Sequence, residues 1–296
     1  MIRTQLEQEI VHHENTIICL QELCLSMLPK FEIFFRQLNY SFFHNLYGRG
    51  HFNDYMGVGV AIPLTIQVNS ISYIKIGDYI RSISKRSEKS TNLFTWLWSL
   101  YEFAASKFID PIPDPWATAM ARSNTLICLK LIVNGKALCV ATYHMPCLYK
   151  VPAVMAIHSS LVKDSMYQFA DGHDFILAGD FNYKPQDACY RAFIERGYVD
   201  TNFPESNNYG ITYRPNTEQV LKSAYREKTG SEPVYTNFVD EVNGPRFCET
   251  LDYIYFAGQL TVENVLELPD HPTGDSYPDE THPSDHLMIA ATFRLS

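Results

Sequence analysis

The chain has 296 residues, with 24 Lys and Arg against 33 Asp and Glu, a net charge of −9 at pH 7. That balance argues against broad nonspecific attraction to nucleic acid, although a metal-binding cleft concentrates carboxylates by design. A content of 46% hydrophobic and 14% aromatic residues excludes disorder for most of the chain, and no apolar run is long enough to span a bilayer.

Ile2, Leu6, Ile10 and Val11 recur at helical spacing and predict a first helix ending near Glu14-Asn15. That segment is amphipathic and acidic, unlike a signal peptide. The run 16–20 reads as a buried strand with Gln21-Glu22 at its end, and 25–38 as a helix. The stretches 58–62, 66–76, 126–133 and 138–143 are rich in β-branched and apolar residues and predict strands. Asn134-Gly135 between the last two is a hairpin turn. Residues 90–120, with Trp96, Trp98, Tyr101 and Phe103 before Pro111, Pro113 and Pro115, read as an aromatic helix and a Pro-rich loop. They form an insertion at about 81–120, whose basic run from Arg81 to Lys89 is either a solvated loop or a phosphate contact.

Further on, 152–169 and 188–196 read as helices, 175–179 as a strand and 202–231 as loop-rich. Strands at 251–256, 260–265 and 287–293 close the chain. Many strands with helices between them predict an α/β (α+β) four-layer sandwich, two packed mixed β-sheets flanked by helices. One domain over 1–296 is expected. Seven cysteines, an odd number without Cys-x-x-Cys spacing, fit buried thiols in a reducing, cytoplasmic or nuclear setting. A monomer away from membranes is expected.

The apolar run Phe175–Ala178 leads into Gly179-Asp180-Phe181-Asn182, a carboxylate and a carboxamide two positions apart. If the extended geometry persists, both face one site. Other polar residues recur at strand ends: Glu22, His144, Asp252, and Asp285-His286 before another apolar run. Singly each has an ordinary alternative, a helix cap for Glu22, a satisfied core histidine for His144, a strand-start carboxylate for Asp252. Jointly they suit a hard divalent cation, Mg²⁺ or Mn²⁺, with an oriented water and donors for a phosphoester. Arg122, Asn124 and Lys184 are candidate substrate-binding residues; Lys184 either reaches a phosphate or is simply solvated.

Cys19-Leu-Gln21-Glu22, Thr142-Tyr-His144, Gly179-Asp-Phe-Asn182, Thr250-Leu-Asp252-Tyr-Ile254 and Ser284-Asp285-His286 resemble, in order, the motifs of the endonuclease/exonuclease/phosphatase superfamily. Leu221–Tyr225, Thr236-Asn237 and the Pro-Ser-Asp-His ending are most similar to its deadenylase branch, with nocturnin and the angel proteins. The resemblance covers about 16–293 and leaves 90–120 outside. It implies that Glu22 ligates the metal, with Asp285 near it, and that Asp180 orients or deprotonates the attacking water. Asn182 would stabilise the pentacovalent phosphorus, His144 and His286 would contact the scissile phosphate, and Asp252 would hold the His286 imidazole. The implied activity is Mg²⁺-dependent hydrolysis of RNA or nucleotides by a 3′ exoribonuclease. The alternatives are a phosphatase or phosphodiesterase on a non-nucleic-acid phosphoester, and a weakened homologue acting as a binding protein. The family's first strand, which carries an asparagine, has no counterpart here, and Tyr183-Lys184-Pro185 departs from the small residues usual after the Asn.

Overall fold

The computed structural model describes residues 2–13, 15–47, 56–84, 114–205, 208–240 and 246–296. Most of the expected insertion, including Trp96, Trp98, Tyr101, Phe103, Pro111 and Pro113, lies outside them. Its ends are visible as two short helices.

In chain order the elements are α1 (Ile2–His12), β1 (Ile18–Leu20), α2 (Leu28–Gln37), β2 (Tyr40–Tyr47), β3 (Met56–Pro63), β4 (Gln67–Lys75) and α3 (Ile76–Ile83). Then come α4 (Pro115–Ala121), β5 (Thr125–Val133), β6 (Lys136–His144), α5 (Pro152–Ala170), β7 (Phe175–Asp180) and α6 (Ala188–Ile194). The last third holds β8 (Lys222–Ser223), α7 (Ala224–Thr229), β9 (Asn237–Asp240), β10 (Arg246–Glu249), β11 (Asp252–Ala257), β12 (Thr261–Val265) and β13 (Ala291–Arg294).

Six strands form the large sheet in the order β4-β5-β6-β7-β11-β8, and β1-β3-β2 form a smaller one. Only the β6–β7 pair is parallel; every other pair among the described residues is antiparallel. The Asn134-Gly135 turn closes β5 onto β6 with Val133 opposite Lys136, both turn residues at positive φ (51° and 79°), as a two-residue hairpin requires.

Side-chain parity assigns the layers. Odd residues of β6, β7 and β11 (Cys139, Ala141, Tyr143, Phe175, Leu177, Tyr253, Tyr255) pack under α3, α4, α5 and α6. Even ones (Leu138, Val140, Ile254, Phe256) meet Val58, Val60 and Ile62 of the small sheet. Helices α1 and α2 cover the outer face of that sheet through Leu6, Phe34 and Phe35 against Ile18 and Ala61. The result is helices, sheet, sheet, helices, the expected sandwich.

Several local expectations shift. The strand expected at 66–76 gives way to α3 at Ile76, a helix unread in the sequence, as were β2 and the β9–β10 ribbon. Of the strand expected at 287–293 only the last part pairs with β12. Its first half is irregular because its backbone bonds partly elsewhere: Leu287 N donates to Thr236 O (2.7 Å), while Ala290 O, accepting from Leu266 N (2.9 Å), extends the β12 ladder by one residue. No strand among the described residues pairs with the second edge of β1, so a cleft opens between β1 and the 287–293 segment.

Candidate active site

Three strands bring three polar side chains into one row. Register sets His144 opposite Asp180 in parallel β6–β7, and Asp180 opposite Asp252 in antiparallel β7–β11. All three are even-numbered and point toward the space between the sheets, the face their apolar neighbours pack. The row needs close approach of β6 and β7 at one point: a Cβ on Gly179 would overlap the Tyr143 carbonyl oxygen. Only glycine fits there.

His144 Nε2 lies 3.3 Å from Asp180 Oδ2, with both side chains under a tenth exposed. Asn124 Nδ2 donates to His144 O (2.8 Å) and Asn124 O accepts from Ile76 N (3.2 Å), tying the end of β6 to α3. Asn182 reaches the site differently from the expected strand alternation. The strand ends at Asp180 and Asn182 takes φ +51°, a left-handed conformation Asn tolerates. Its backbone N donates to Asp180 Oδ1 (2.8 Å), and its Nδ2 donates to Met145 O (2.9 Å) and Asp180 Oδ2 (3.2 Å). The turn closed by the carboxylate, rather than the pleat, delivers the carboxamide.

His286 arrives from a loop. Its main chain bridges Asn237, its N donates to Ser284 Oγ (3.1 Å), and its Nδ1 is 2.8 Å from Asp252 Oδ2. Thr236 Oγ1 donates to the same Oδ2 (2.6 Å) and accepts from Leu251 N (2.9 Å) and Asp252 N (3.1 Å). Asp285 O accepts from Phe238 N (2.9 Å), and its Oδ2 accepts from Asn237 Nδ2 (3.4 Å). Donor atoms of Asp180, Asp252 and His286 all lie within 4.8 Å of one another.

Glu22 follows β1 at φ +57°, and Gln21 beside it donates through Nε2 to Thr142 Oγ1 (2.9 Å), linking the small sheet to the row. Glu22, Asp180, Asp252, Asp285 and His286 line one cleft of about 1050 Å³. Among its described lining residues there is no lysine or arginine. Arg122 instead caps the end of α4 and Lys184 Nζ sits 3.5 Å from Glu249 Oε1, so neither expected substrate contact lines the cleft.

Burial opposes charge on His286, but Asp252, Asp180 and Asp285 outweigh it and push its pKa up to about 10. His144 is also raised: burial works against the cation, while the bond and charge of Asp180 and the charge of Glu22 prevail. Asp180 is lowered despite burial, held ionised by His144, His286 and the Asn182 N–H. Asp252 is raised by burial and by Asp180, so the Asp252–His286 pair retains its proton. The buried Tyr47 hydroxyl, at the end of β2, has no well-formed hydrogen bond; burial and then Asp180 push it up, with Glu22 adding to the shift.

The model of the Endonuclease/Exonuclease/phosphatase family matches residues 3–286. The chain belongs to this family of hydrolytic phosphoesterases. It is 30% identical over 176 residues to the 2′,5′-phosphodiesterase 12 of Bos taurus, 54% of this chain and 27% of that protein. It is 28% identical over 185 residues to nocturnin of Xenopus laevis, 60% of this chain and 41% of that one. The match therefore spans less than half the length of these curated relatives. The crystal structure of ANGEL2, a 2′,3′-cyclic phosphatase, with adenosine-2′,3′-vanadate, superposes with a TM-score of 0.65 at 19% identity. That superposition covers 99% of this chain and 85% of the other, a likeness of fold. The deadenylase, nocturnin and angel branch inferred from the motifs is the one these relatives represent.

Thr236, Asn237, Tyr47 and Asn124 hold or flank the row, and only Asn124 had been singled out for the site from the residue pattern. Thr236 and Asn237 had a signal, a polar pair just upstream of the Leu251-Asp252 strand. Tyr47 had none, because its strand was not legible.

Proposed function

We propose that this chain is a divalent-metal-dependent phosphodiesterase acting on RNA or nucleotides, a 3′ exoribonuclease of deadenylase type. The observation that carries the reading is the His144–Asp180–Asp252 row with His286 bonded to its end, of which Asp180, Asp252 and His286 line a cleft that Glu22 and Asp285 share, with His144 behind Asp180.

The donor set fits the metal. Four carboxylates and hard oxygen chemistry in a cleft lacking Lys and Arg among its described residues suit Mg²⁺ or Mn²⁺ better than a soft ion. The donor atoms that converge are those of Asp180, Asp252 and His286; Glu22 and Asp285, which line the same cleft, would complete the hold on the ion, which when bound neutralises phosphoryl oxygens.

The chain's own residues supply the rest. Asp180, kept ionised, accepts a proton from the attacking water or orients it. Both Nδ2 bonds of Asn182 are spent on Met145 O and Asp180, so in this arrangement it positions Asp180, and the role implied for it at the phosphorus would require it to release one of them. Asp252 takes Nδ1–H of His286, which fixes the ring and leaves Nε2 to donate to a phosphoryl oxygen. His144, with Nε2 toward Asp180 and Nδ1 lacking a partner, is the second imidazole available to that charge.

The test is release of nucleotide monophosphate from labelled RNA oligomers of differing 3′ ends, with Mg²⁺ and with chelator. Oligomers with 2′,5′ linkages and 2′,3′-cyclic ends belong in the same assay, given the relatives above. Asp180→Ala abolishes the release; unchanged release removes the nuclease assignment. Turnover of phosphomonoesters or inositol phosphates without RNA would point to the non-nucleic-acid phosphoester.

A further inference from the structure

We infer that His282, at the rim of the same cleft, is a stacking platform for a nucleobase of the substrate, an inference that rests on the RNA reading above. His282 lines the cleft with Glu22, Asp180, Asp252 and His286, and its side chain is 24% exposed. Its ring lies on Tyr277 at a centroid distance of 3.8 Å and an interplanar angle of 19°, and Tyr277 meets Phe238 edge-on at 5.1 Å. Three rings therefore form a column, of which only the outermost reaches solvent; Tyr277 and Phe238 are each 2% exposed.

The column is held rigid. Asp279 takes bonds from His282 N (2.6 Å) and Thr281 N (2.7 Å), and its Oδ1 and Oδ2 lie 3.0 and 3.1 Å from His282 Nδ1. Tyr277 is fixed by Thr273 N donating to its hydroxyl (3.0 Å). With Tyr277 over one face and Asp279 on the Nδ1 edge, the second face and the Nε2 edge are what remain to His282 for the cleft it lines. A flat, pre-ordered aromatic face beside a phosphoester site is what an unpaired base needs, and histidine serves as such a face. The described cleft residues of this chain of net charge −9 include no Lys or Arg, so among them stacking contributes more to single-strand affinity than attraction of the backbone by lysine or arginine.

The experiment measures binding of a short fluorescent RNA by anisotropy, in chelator so that the strand stays intact, for the full chain and three variants. His282→Ala weakens binding roughly 5- to 100-fold, the range of one lost base stack. His282→Phe retains it, and His282→Gln, which keeps a polar edge without a ring, behaves like His282→Ala. On an otherwise identical strand lacking the base nearest the cleavable end, the penalty disappears. Matched urea midpoints show that each variant is folded. If wild type and all variants bind RNA alike, the stacking role is refuted while the RNA reading stands. If His282→Gln restores binding and His282→Phe does not, the contact is an edge hydrogen bond and the inference is wrong. If wild-type protein binds no RNA either in chelator or, on a non-cleavable strand, with Mg²⁺, both fall together.

Discussion

Thr236→Val is the sharpest probe of how the site is built. Its hydroxyl has one proton and two lone pairs, and all are used: it donates to Asp252 Oδ2 and accepts from the N–H groups of Leu251 and Asp252. The residue is fully buried, so no water replaces these partners. Valine has nearly the same shape but strands two buried N–H donors, each costing about 1–3 kcal/mol. It also removes one of the two donors that hold the Asp252 carboxylate toward His286. Allowing for the apolar gain of a methyl, we expect a loss of about 2–5 kcal/mol, a large share of the ~5–15 kcal/mol that holds a domain together. Urea unfolding should show a lower midpoint at unchanged slope. Hydrolysis should fall mainly in kcat, because the imidazole is mispositioned while the cleft remains. Thr236→Ser keeps every hydrogen bond and should cost only ~1 kcal/mol, the scale of one deleted buried methyl. A Val variant within ~0.5 kcal/mol of wild type, or a Ser variant worse than Val, would refute the account.

Other consequences are as direct. Gly179→Ala drives a methyl into the Tyr143 carbonyl and should leave little folded protein, read as loss of the cooperative unfolding transition. His286 has a folded pKa of about 10 against an ordinary value near 6.5, so its stabilising pair with Asp252 is fully present below about 6.5 and lost as pH rises through 10. The stability gap between wild type and His286→Gln, measured in chelator, should therefore be flat at pH 5–6, shrink above 6.5 and vanish beyond 10; a gap that widens with pH contradicts this. Mg²⁺ at a hundred times its dissociation constant should stabilise the protein by about 2.7 kcal/mol, and Glu22→Gln should remove most of that gain in a thermal melt.

Motifs at the ends of long apolar runs were legible because burial and chemistry alternate along one strand. Phe175–Ala178 leading to Asp180, and Leu251-Asp252 before Tyr253–Phe256, needed only the period of two and a polar residue at the mouth of the sheet. The shared direction of His144, Asp180 and Asp252 was not legible, because it follows from strand order and register, which the period of two does not supply. Asn182 broke the pattern, because the carboxylate two residues earlier captures its own N–H and turns the chain. Thr236 and His282 matter through partners 16 residues away and through a ring stacked beneath, contacts that periodicity does not encode. The β2 strand escaped notice because its face is mixed, with Ser41, His44 and Asn45 set among aromatics. Arg122 and Lys184, expected at the substrate, carry positive charge, and charge alone does not bring a side chain to the cleft.

That last point bears on how an acidic protein grips a polyanion. Around the cleft the ionisable side chains of the described residues are chiefly carboxylates and imidazoles amid apolar lining, and the positive groups in the row are His144 and His286, both with raised pKa values. Single-stranded nucleic acid releases about 0.7 counterions per phosphate neutralised, so two imidazoliums account for a slope no steeper than about −1.5 in log K against log salt. Anisotropy titrations of RNA in chelator between 50 and 400 mM KCl should give that shallow line, nearly unchanged by Lys184→Ala. Adding Mg²⁺ should raise affinity with little change of slope, since the ion acts at one phosphate inside the cleft. A slope of −3 or steeper would mean that lysines and arginines elsewhere track the backbone. Affinity would then come from charge over a long footprint, not from a short, metal-assisted grip on the terminal phosphoester.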